Sequence, residues 1–398
     1  MIDLTKHRNL QYFLFSSLYF TEGFKWSIAI VILPIYFDEL GISPTILGIV
    51  IAIITLPMVL KFLFGGIIDY FIRYGRKKFV LIGGFISIIC FLMLGFVNPE
   101  NSLIAFTIIF FIGVSGIGLI DVSADAWAID TAKKDEIGKI NGVMFAGIFI
   151  GLSIGSFLFT QISEIYHYQA VFFLSSFIVF LILLFPLFVK EVRKVVVKKQ
   201  KVRNLLYKEF KRKNVQIISI FAPISAIGGG IILIIAPIYM LNILKLKPTQ
   251  VGLISMISPI ATIFGCLIWG TIADKLTRKN TLYILLIGSL ISNALLVFTY
   301  NWQLFLFIYV LIGFFFGGYY AVSCALLMDI TNPLIAASQF SILTALFNLG
   351  EMGIGHSIAG LMVDILGYYR VFLYSAIFYG ISMLILNFFR SEKTNKSI

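Results

Sequence analysis

Charge is scarce in this chain: only 13% of its 398 residues are Asp, Glu, Lys or Arg, against about 25% in a soluble domain. A globular protein with a water-facing surface is thereby excluded. Cysteine is nearly absent, and Cys90, Cys266 and Cys324 fall singly within separate apolar stretches. That spacing implies neither a disulfide framework nor a metal cluster, and each thiol reads as a small core residue. Histidine is as rare, without the His-Glu-x-x-His spacing of a zinc protease, and no Walker loop is present to drive transport with ATP. Asp121 and Asp125 lack the Asp-Gly-rich surroundings of a lipid phosphotransferase. No cofactor, metal or enzymatic chemistry is expected.

What fills the space is apolar, 60% of the chain. A helix spanning ~30 Å of hydrocarbon needs about 20 apolar residues. Twelve stretches qualify, at 10–37, 44–72, 78–97, 101–131, 137–162, 168–190, 214–242, 248–272, 280–299, 302–329, 337–366 and 369–390. The longest imply tilt or polar ends outside the bilayer. No small-residue cleavage site follows the first run, which is expected to remain as a membrane span.

The net charge of +12 is placed asymmetrically. Counting alternate loops from the N-terminus, 26 of the 31 Lys and Arg residues fall on one side, eleven of them in the segment between the sixth and seventh spans. Cytoplasmic loops carry that excess, so both termini are expected on the cytoplasmic side of the cell membrane. The basic load then serves topology and anionic lipid, not nucleic acid. Within that segment, Gln200–Lys213 mixes basic residues with Val202, Leu205, Leu206, Tyr207 and Phe210. It is either a topology determinant or a short amphipathic helix on the inner leaflet.

The chain repeats itself at a spacing near 203 residues. Pro34-Ile35-Tyr36 returns as Pro237-Ile238-Tyr239, and Pro44-Thr45-x-x-Gly48 as Pro248-Thr249-x-x-Gly252. Gly65-x-x-x-Asp69 with Arg76-Lys77 returns as Gly270-x-x-x-Asp274 with Arg278-Lys279, Asp130 finds Asp329, and Tyr168-x-x-Val171-Phe172 finds Tyr368-x-x-Val371-Phe372. Five matches in one order are not chance. The expected fold is an all-α integral membrane protein of 12 transmembrane helices in two pseudo-symmetric six-helix bundles, 1–189 and 214–398, joined by a basic linker at 190–213.

Those motifs, above all Gly-x-x-x-Asp followed by Gly-Arg-Lys between the second and third spans, resemble the major facilitator superfamily. The resemblance implies two bundles rocking about a midplane site; Asp69, by pairing to the Arg/Lys cluster or capping a neighbouring helix, is expected to latch the halves in one state. A narrower likeness rests on Leu56-Pro57 with Lys61-Phe62, three extra residues between Asp69 and Gly75-Arg76, and Asp121-x-x-x-Asp125-Ala126-Trp127. Together these look like the branch of muropeptide permeases and acetyl-CoA transporters. That branch implies sugar-peptide or CoA-ester solutes.

Charges inside apolar spans cost roughly 2.5–3.5 kcal/mol at a helix centre and persist where they work or pair. Glu22 and Lys25 sit near the middle of the first span, either bridging each other or taking up a proton and meeting an anionic solute group. Asp121 and Asp125 share one helix face. Lys61 lies about 12 Å from Asp69 along the second span, at a depth that suits a pair with either aspartate; snorkelling to the interface is the alternative. Glu351, with Asn348 three residues earlier, is the candidate of the second half. His356 reads first as a hydrogen-bonded core histidine. Tyr19 and Trp26 line a cavity or simply pack.

Transferred by the repeat, Glu22, Lys25, Asp121 and Asp125 fall on Ser225, Gly228, Tyr320 and Cys324. Charges present in one half only are unlike scaffold, so Glu22, Lys25, Asp121, Asp125, Glu351 and Asn348 are the expected solute and proton site. Lys61, Asp69, Arg76, Lys77, Asp130, Asp274 and Asp329 are expected to serve gating or structure. Gly147, Gly151 and Gly155 form a small-residue ridge for close helix approach, and Gly228-Gly229-Gly230 is either a bend or such a surface. The fifth span lacks the Gly-Pro of the superfamily's antiporters. The expected activity is alternating-access secondary transport of a small to mid-sized polar or anionic solute, by proton symport, in a monomer. Proton-coupled efflux is the alternative, and a membrane scaffold or embedded enzyme the competing class.

Overall fold

The computed structural model describes residues 2–3, 7–71, 74–131, 137–191, 202–332 and 335–390. Among them the chain is nearly all helical. The spans are α1 (Arg8–Glu39), α2 (Pro44–Ile68), α3 (Arg76–Leu94), α4 (Leu103–Thr131), α5 (137–166) and α6 (168–188). The second set is α7 (Lys213–Asn242), α8 (Pro248–Lys275), α9 (Arg278–Phe298), α10 (Trp302–Ile330), α11 (Ser338–Leu366) and α12 (Tyr368–Asn387). A linker helix, Val202–Phe210, precedes α7.

Local chemistry sets the boundaries. Ser43 accepts from the Ile46 N–H ahead of Pro44, and Asn301 accepts from Leu304 N–H at 2.8 Å; each satisfies a donor that the helix start leaves free. Two helices run on without a loop until one residue turns over. His167 at φ 65° divides α5 from α6, and Gly367 at φ 74° divides α11 from α12. Glycine adopts that conformation without cost, and histidine does not. The two turns hold matching places in the two halves.

Bilayer helices gain little from burying apolar surface against one another, so close backbone approach carries the packing. Side chains at Gly147 and Gly151 of α5 would run into the Ser16 and Phe20 carbonyls of α1, and Gly23 faces Ile148 of α5 in return. The second half repeats this with Gly230 of α7 against Glu351 and Gly350 of α11 against Pro223. Helix α7 continues unbroken through Gly228-Gly229-Gly230, so the triplet is a packing surface and not a bend.

Repeated sequence signatures meet in space. Tyr36 stacks on Tyr168 with centroids 4.1 Å apart, and Tyr239 meets Tyr368 edge-on at 5.8 Å. Lys77 Nζ donates to the Leu187 and Val189 carbonyls at the end of α6; Lys279 Nζ donates to the Asn387 and Phe389 carbonyls at the end of α12. A cation at a helix C-terminus fits the dipole there.

The bundles meet along two seams, α2 with α11 and α5 with α8. Both close in the half of the molecule away from the basic loops. Gly48 lies against the His356 carbonyl, Gly360 against Pro44, and Ser153 Oγ donates to Met256 O at 2.7 Å. At that end Asn242 Nδ2 donates to Asp38 at 2.7 Å, and the Thr45 hydroxyl to Asp364 at 2.5 Å.

Three departures from regularity were not legible beforehand. Helix α2 breaks at Leu60 and restarts at Lys61, where a single span was expected. Helices α1 and α11 each widen into a π turn, at Ile28–Ile32 and Leu349–Gly355. Such turns cluster at functional sites, and these two flank the buried charges.

Candidate functional site

Tyr19, Glu22 and Trp26 lie three and four residues apart on α1 and so share a face. Beside them α4 presents Asp121 and Asp125 one turn apart, and the restart of α2 presents Lys61. Lys61 Nζ lies 2.9 Å from Asp121 Oδ2, and the Tyr19 hydroxyl donates to Asp125. Glu22 accepts from Trp26 Nε1 at 3.1 Å and lies 3.9 Å from Lys25 Nζ. The Lys25 ammonium sits over the Trp26 ring, 3.3 Å from its centroid, where the ring quadrupole attracts it. Glu22, Lys25 and Asp121 are all buried. Of the two aspartates offered to Lys61, Asp121 is the one it takes. Tyr19 and Trp26 do more than pack, since each holds a carboxylate.

The second half fills matching positions with neutral groups. Ser225 of α7, which answers to Glu22, shares a 2.6 Å hydrogen bond with Tyr319 of α10, the neighbour of the Tyr320 that answers to Asp121. Glu351 lies in the π turn of α11, half-buried and with no ion pair or hydrogen bond among the described residues. Asn348 Nδ2 donates to Met58 O at 3.1 Å. That carbonyl sits just before the break in α2, so one amide N–H of Asn348 ties the bundles together and is engaged before any solute arrives.

His356 was expected to be hydrogen-bonded. Its ring is fully buried, and neither Nδ1 nor Nε2 has a partner among the described residues. The core reading fails on that point, because buried polar groups are normally satisfied.

At the basic end, Arg76 Nε lies 3.5 Å from Asp130 Oδ2, and Arg278 Nε lies 3.4 Å from Asp329 Oδ2. Both pairs stay within one bundle, α3 to α4 and α9 to α10. The side chains of Asp69, expected in a latch, and of Asp274, expected to serve gating or structure, lie outside the described ones, as do residues 192–201 of the basic linker.

A cavity missed by sequence reasoning opens beside the π turn of α1. The π turn residues Ile30 and Val31 line it, with Leu152 of α5, Ser255 and Ser258 of α8, Asn293 of α9 and Tyr379 of α12. It is largely apolar, and none of the buried charges lines it. Ser255 Oγ and Asn293 Oδ1 have no hydrogen-bond partner among the described residues, which marks them as the polar contacts it offers. Only Asn293, an amide inside an apolar span, could have pointed there.

Two helical bundles closed along paired seams, with charges gathered inside one of them, define a polytopic membrane carrier. The chain belongs to the Major Facilitator Superfamily, whose sequence model matches residues 15–228 and again 218–398. It is a secondary transporter of that type. Among solved structures, a D-xylose-proton symporter is similar at TM-score 0.79 and 15% identity, over 95% of this chain and 98% of that one. The nucleoside transporter NupG is similar at 0.78 and 15%, over 96% and 100%. A probable folate-biopterin transporter 7 of Arabidopsis thaliana is 26% identical over 140 residues, 34% of this chain and 31% of that protein.

Proposed function

We propose that this chain is a proton-linked symporter of a small to mid-sized polar or anionic solute, working as a monomer by alternating access. The two rocking bodies are 1–189 and 214–398, joined by 190–213. The basic end faces the cytoplasm with both termini, so the Asp38–Asn242 and Thr45–Asp364 bonds read as a closed outer gate.

One observation carries the proton link. Among the described residues, the cations paired with or beside Glu22, Asp121 and Asp125 are Lys25 and Lys61. With all five ionised, the cluster holds one net negative charge inside the membrane, where each charge costs roughly 2.5–3.5 kcal/mol. One proton removes that excess. The neutral matching positions of the second half support the reading, since a scaffold alone has no need of these charges.

The solute class draws on resemblance. The narrower sequence likeness favours sugar-peptides or CoA esters, and the Arabidopsis relative adds folate- or biopterin-like compounds. Radiolabelled uptake of these candidates into liposomes bearing the purified chain tests the reading. Saturable accumulation driven by an inward proton gradient is expected, with Asp125→Asn losing accumulation while keeping solute exchange. Saturable flux indifferent to the gradient defeats the proton link, and the absence of saturable flux defeats the carrier.

A further inference from the structure

The cavity beside the π turn of α1 is walled by both bundles. Val31 and Leu152 come from the first, and Ser255, Asn293, Phe316 and Tyr379 from the second. It lies at the α5–α8 seam: Leu152 and Ser255 are the chain neighbours of Ser153 and Met256, whose 2.7 Å bond closes that seam. Its polar groups form a definite pattern. Ser375 Oγ donates to Phe372 O at 2.8 Å, so toward Asn293 Nδ2, 3.3 Å away, it can only accept. That fixes the Asn293 amide with Nδ2 on Ser375. Oδ1 is left a buried acceptor with no partner among the described residues. Only an N–H or O–H satisfies it, and leaving it unmatched in an apolar wall is unfavourable. Ser255 Oγ, also buried and without a partner among the described residues, can donate or accept.

Among the described residues none of the lining side chains is charged, so an ion entering would lose its hydration and gain no counter-charge. Phe316 and Tyr379 instead offer ring faces and edges, against which a flat ring packs well. The cavity volume, taken as the space open to the centre of a water, is about 70 Å³, where holding one water takes about 10–15 Å³. That is room for one small ring. We propose that this cavity binds an uncharged planar ring of the solute, which donates an N–H or O–H to Asn293 Oδ1 and makes a second hydrogen bond with Ser255 Oγ. A ring amide, with its N–H beside a C=O, supplies both. The inference rests on the carrier reading above for the ligand's being the solute, and deepens it by naming a part of that solute which needs none of the buried charges. Because the walls belong to both bundles, the ring is enclosed only while the α5–α8 seam is closed, and its binding favours that arrangement.

Thermal unfolding of the purified full-length chain in detergent tests this with 2-pyridone, a ring amide, and 2-fluoropyridine, a ring of the same size without the N–H. 2-Pyridone should raise the midpoint saturably, and 2-fluoropyridine should need at least a tenfold higher concentration for the same shift. Ser255→Ala breaks no hydrogen bond among the described residues, so it should keep the unliganded midpoint while weakening the 2-pyridone response several-fold. Gly229 of α7 also lines the cavity, and a Cβ there meets ordinary contacts, 3.6 Å from the Tyr379 hydroxyl and 3.7 Å from the Phe316 ring. Gly229→Ala should therefore fold, narrow the cavity and weaken the response to both rings. The subsite is overturned if 2-pyridone gives no saturable shift, if 2-fluoropyridine or the anionic ring nicotinate matches it, or if Ser255→Ala and Gly229→Ala both keep the full response. Binding here needs no flux, so the two readings fail separately. The expected shifts without saturable uptake of any candidate solute remove the carrier alone. Saturable uptake whose KM is unchanged in Ser255→Ala and Gly229→Ala removes the subsite alone.

Discussion

Lys61 and Asp121, sixty positions apart in the sequence, hold each other at 2.9 Å across α2 and α4. The Asp121 side chain is almost fully enclosed while that of Lys61 keeps 26% of its surface, so the pair is closed on the aspartate side and open on the lysine side. Removing one partner of a buried pair costs about 3–5 kcal/mol, chiefly because the other charge is stranded. Partial solvation of Lys61 should bring that down to about 2–3 kcal/mol for Lys61→Met or Asp121→Leu alone. The double variant should cost clearly less than the sum. A double-mutant cycle on unfolding midpoints checks this, and strict additivity would show that the two charges do not interact.

The glycine ridge gives a second expectation. Any Cβ at Gly151 must move the α1 backbone at Phe20, and overpacking of this kind costs about 1–3 kcal/mol. Gly151→Ala should therefore lower the unfolding midpoint, while Gly66→Ala, which has open space around its Cβ, should leave it unchanged or slightly raised. Equal loss in both variants would count against helix approach as the cause.

Much of this architecture was legible in sequence because membrane insertion imposes simple rules. Apolar length placed the spans, and duplicated motifs such as Tyr36 with Tyr168 and Tyr239 with Tyr368 carried the two-bundle plan. The charges inside α1 and α4 marked themselves by their cost. What stayed hidden depends on how helices approach each other. The break at Leu60, which brings Lys61 to Asp121, lies three residues past Pro57; a proline inside a span marks a kink but not the residue at which the helix restarts. The π turns beside Lys25 and His356 have no sequence signature. The choice of Tyr19 as the partner of Asp125 needed three-dimensional register. Asn348 drew attention by its polarity next to Glu351, yet its amide spans the seam to Met58 O.

The linker helix should release at low pH. Glu209 accepts from Arg212 Nη1 and from Asn332 Nδ2, each at 2.8 Å, and these bonds hold its carboxyl below the usual carboxylate range. A carboxyl lowered by folding contributes stability above its unfolded value, and that contribution is lost as pH falls through the folded value. Docking of Val202–Phe210 should thus be unchanged from pH 8 to about 5 and weaken only in stronger acid, near and below about 4.3. Hydrogen exchange of this helix across pH, corrected for intrinsic rates, reads it out. Glu209→Gln should show constant, weaker protection.

On the proposed reading as an outer gate, the contacts opposite the basic loops offer the most direct handle on conformation. Asp364 accepts from both the Thr45 hydroxyl and the Thr45 N–H, at 2.5 and 3.0 Å, and it is the carboxylate of α11 that grips the start of α2. The site is exposed, so its worth sits near the low end for charged hydrogen bonds, about 1–1.5 kcal/mol. That is small for stability but enough to move a two-state equilibrium roughly five- to tenfold. Asp364→Ala should accordingly raise the population open at this end without lowering the unfolding midpoint by more than a degree or two. Gly360→Val should also open this end, since its side chain would press on the Pro44 carbonyl, and that overpacking should lower the midpoint as well. Spin-label distances between α2 and α11 at this end should lengthen in both variants, while labels on α3 and α4, joined by Arg76 and Asp130, keep theirs. If both variants retain the wild-type α2–α11 distribution, the Thr45–Asp364 contact is a surface hydrogen bond and the closure is held by the seams alone.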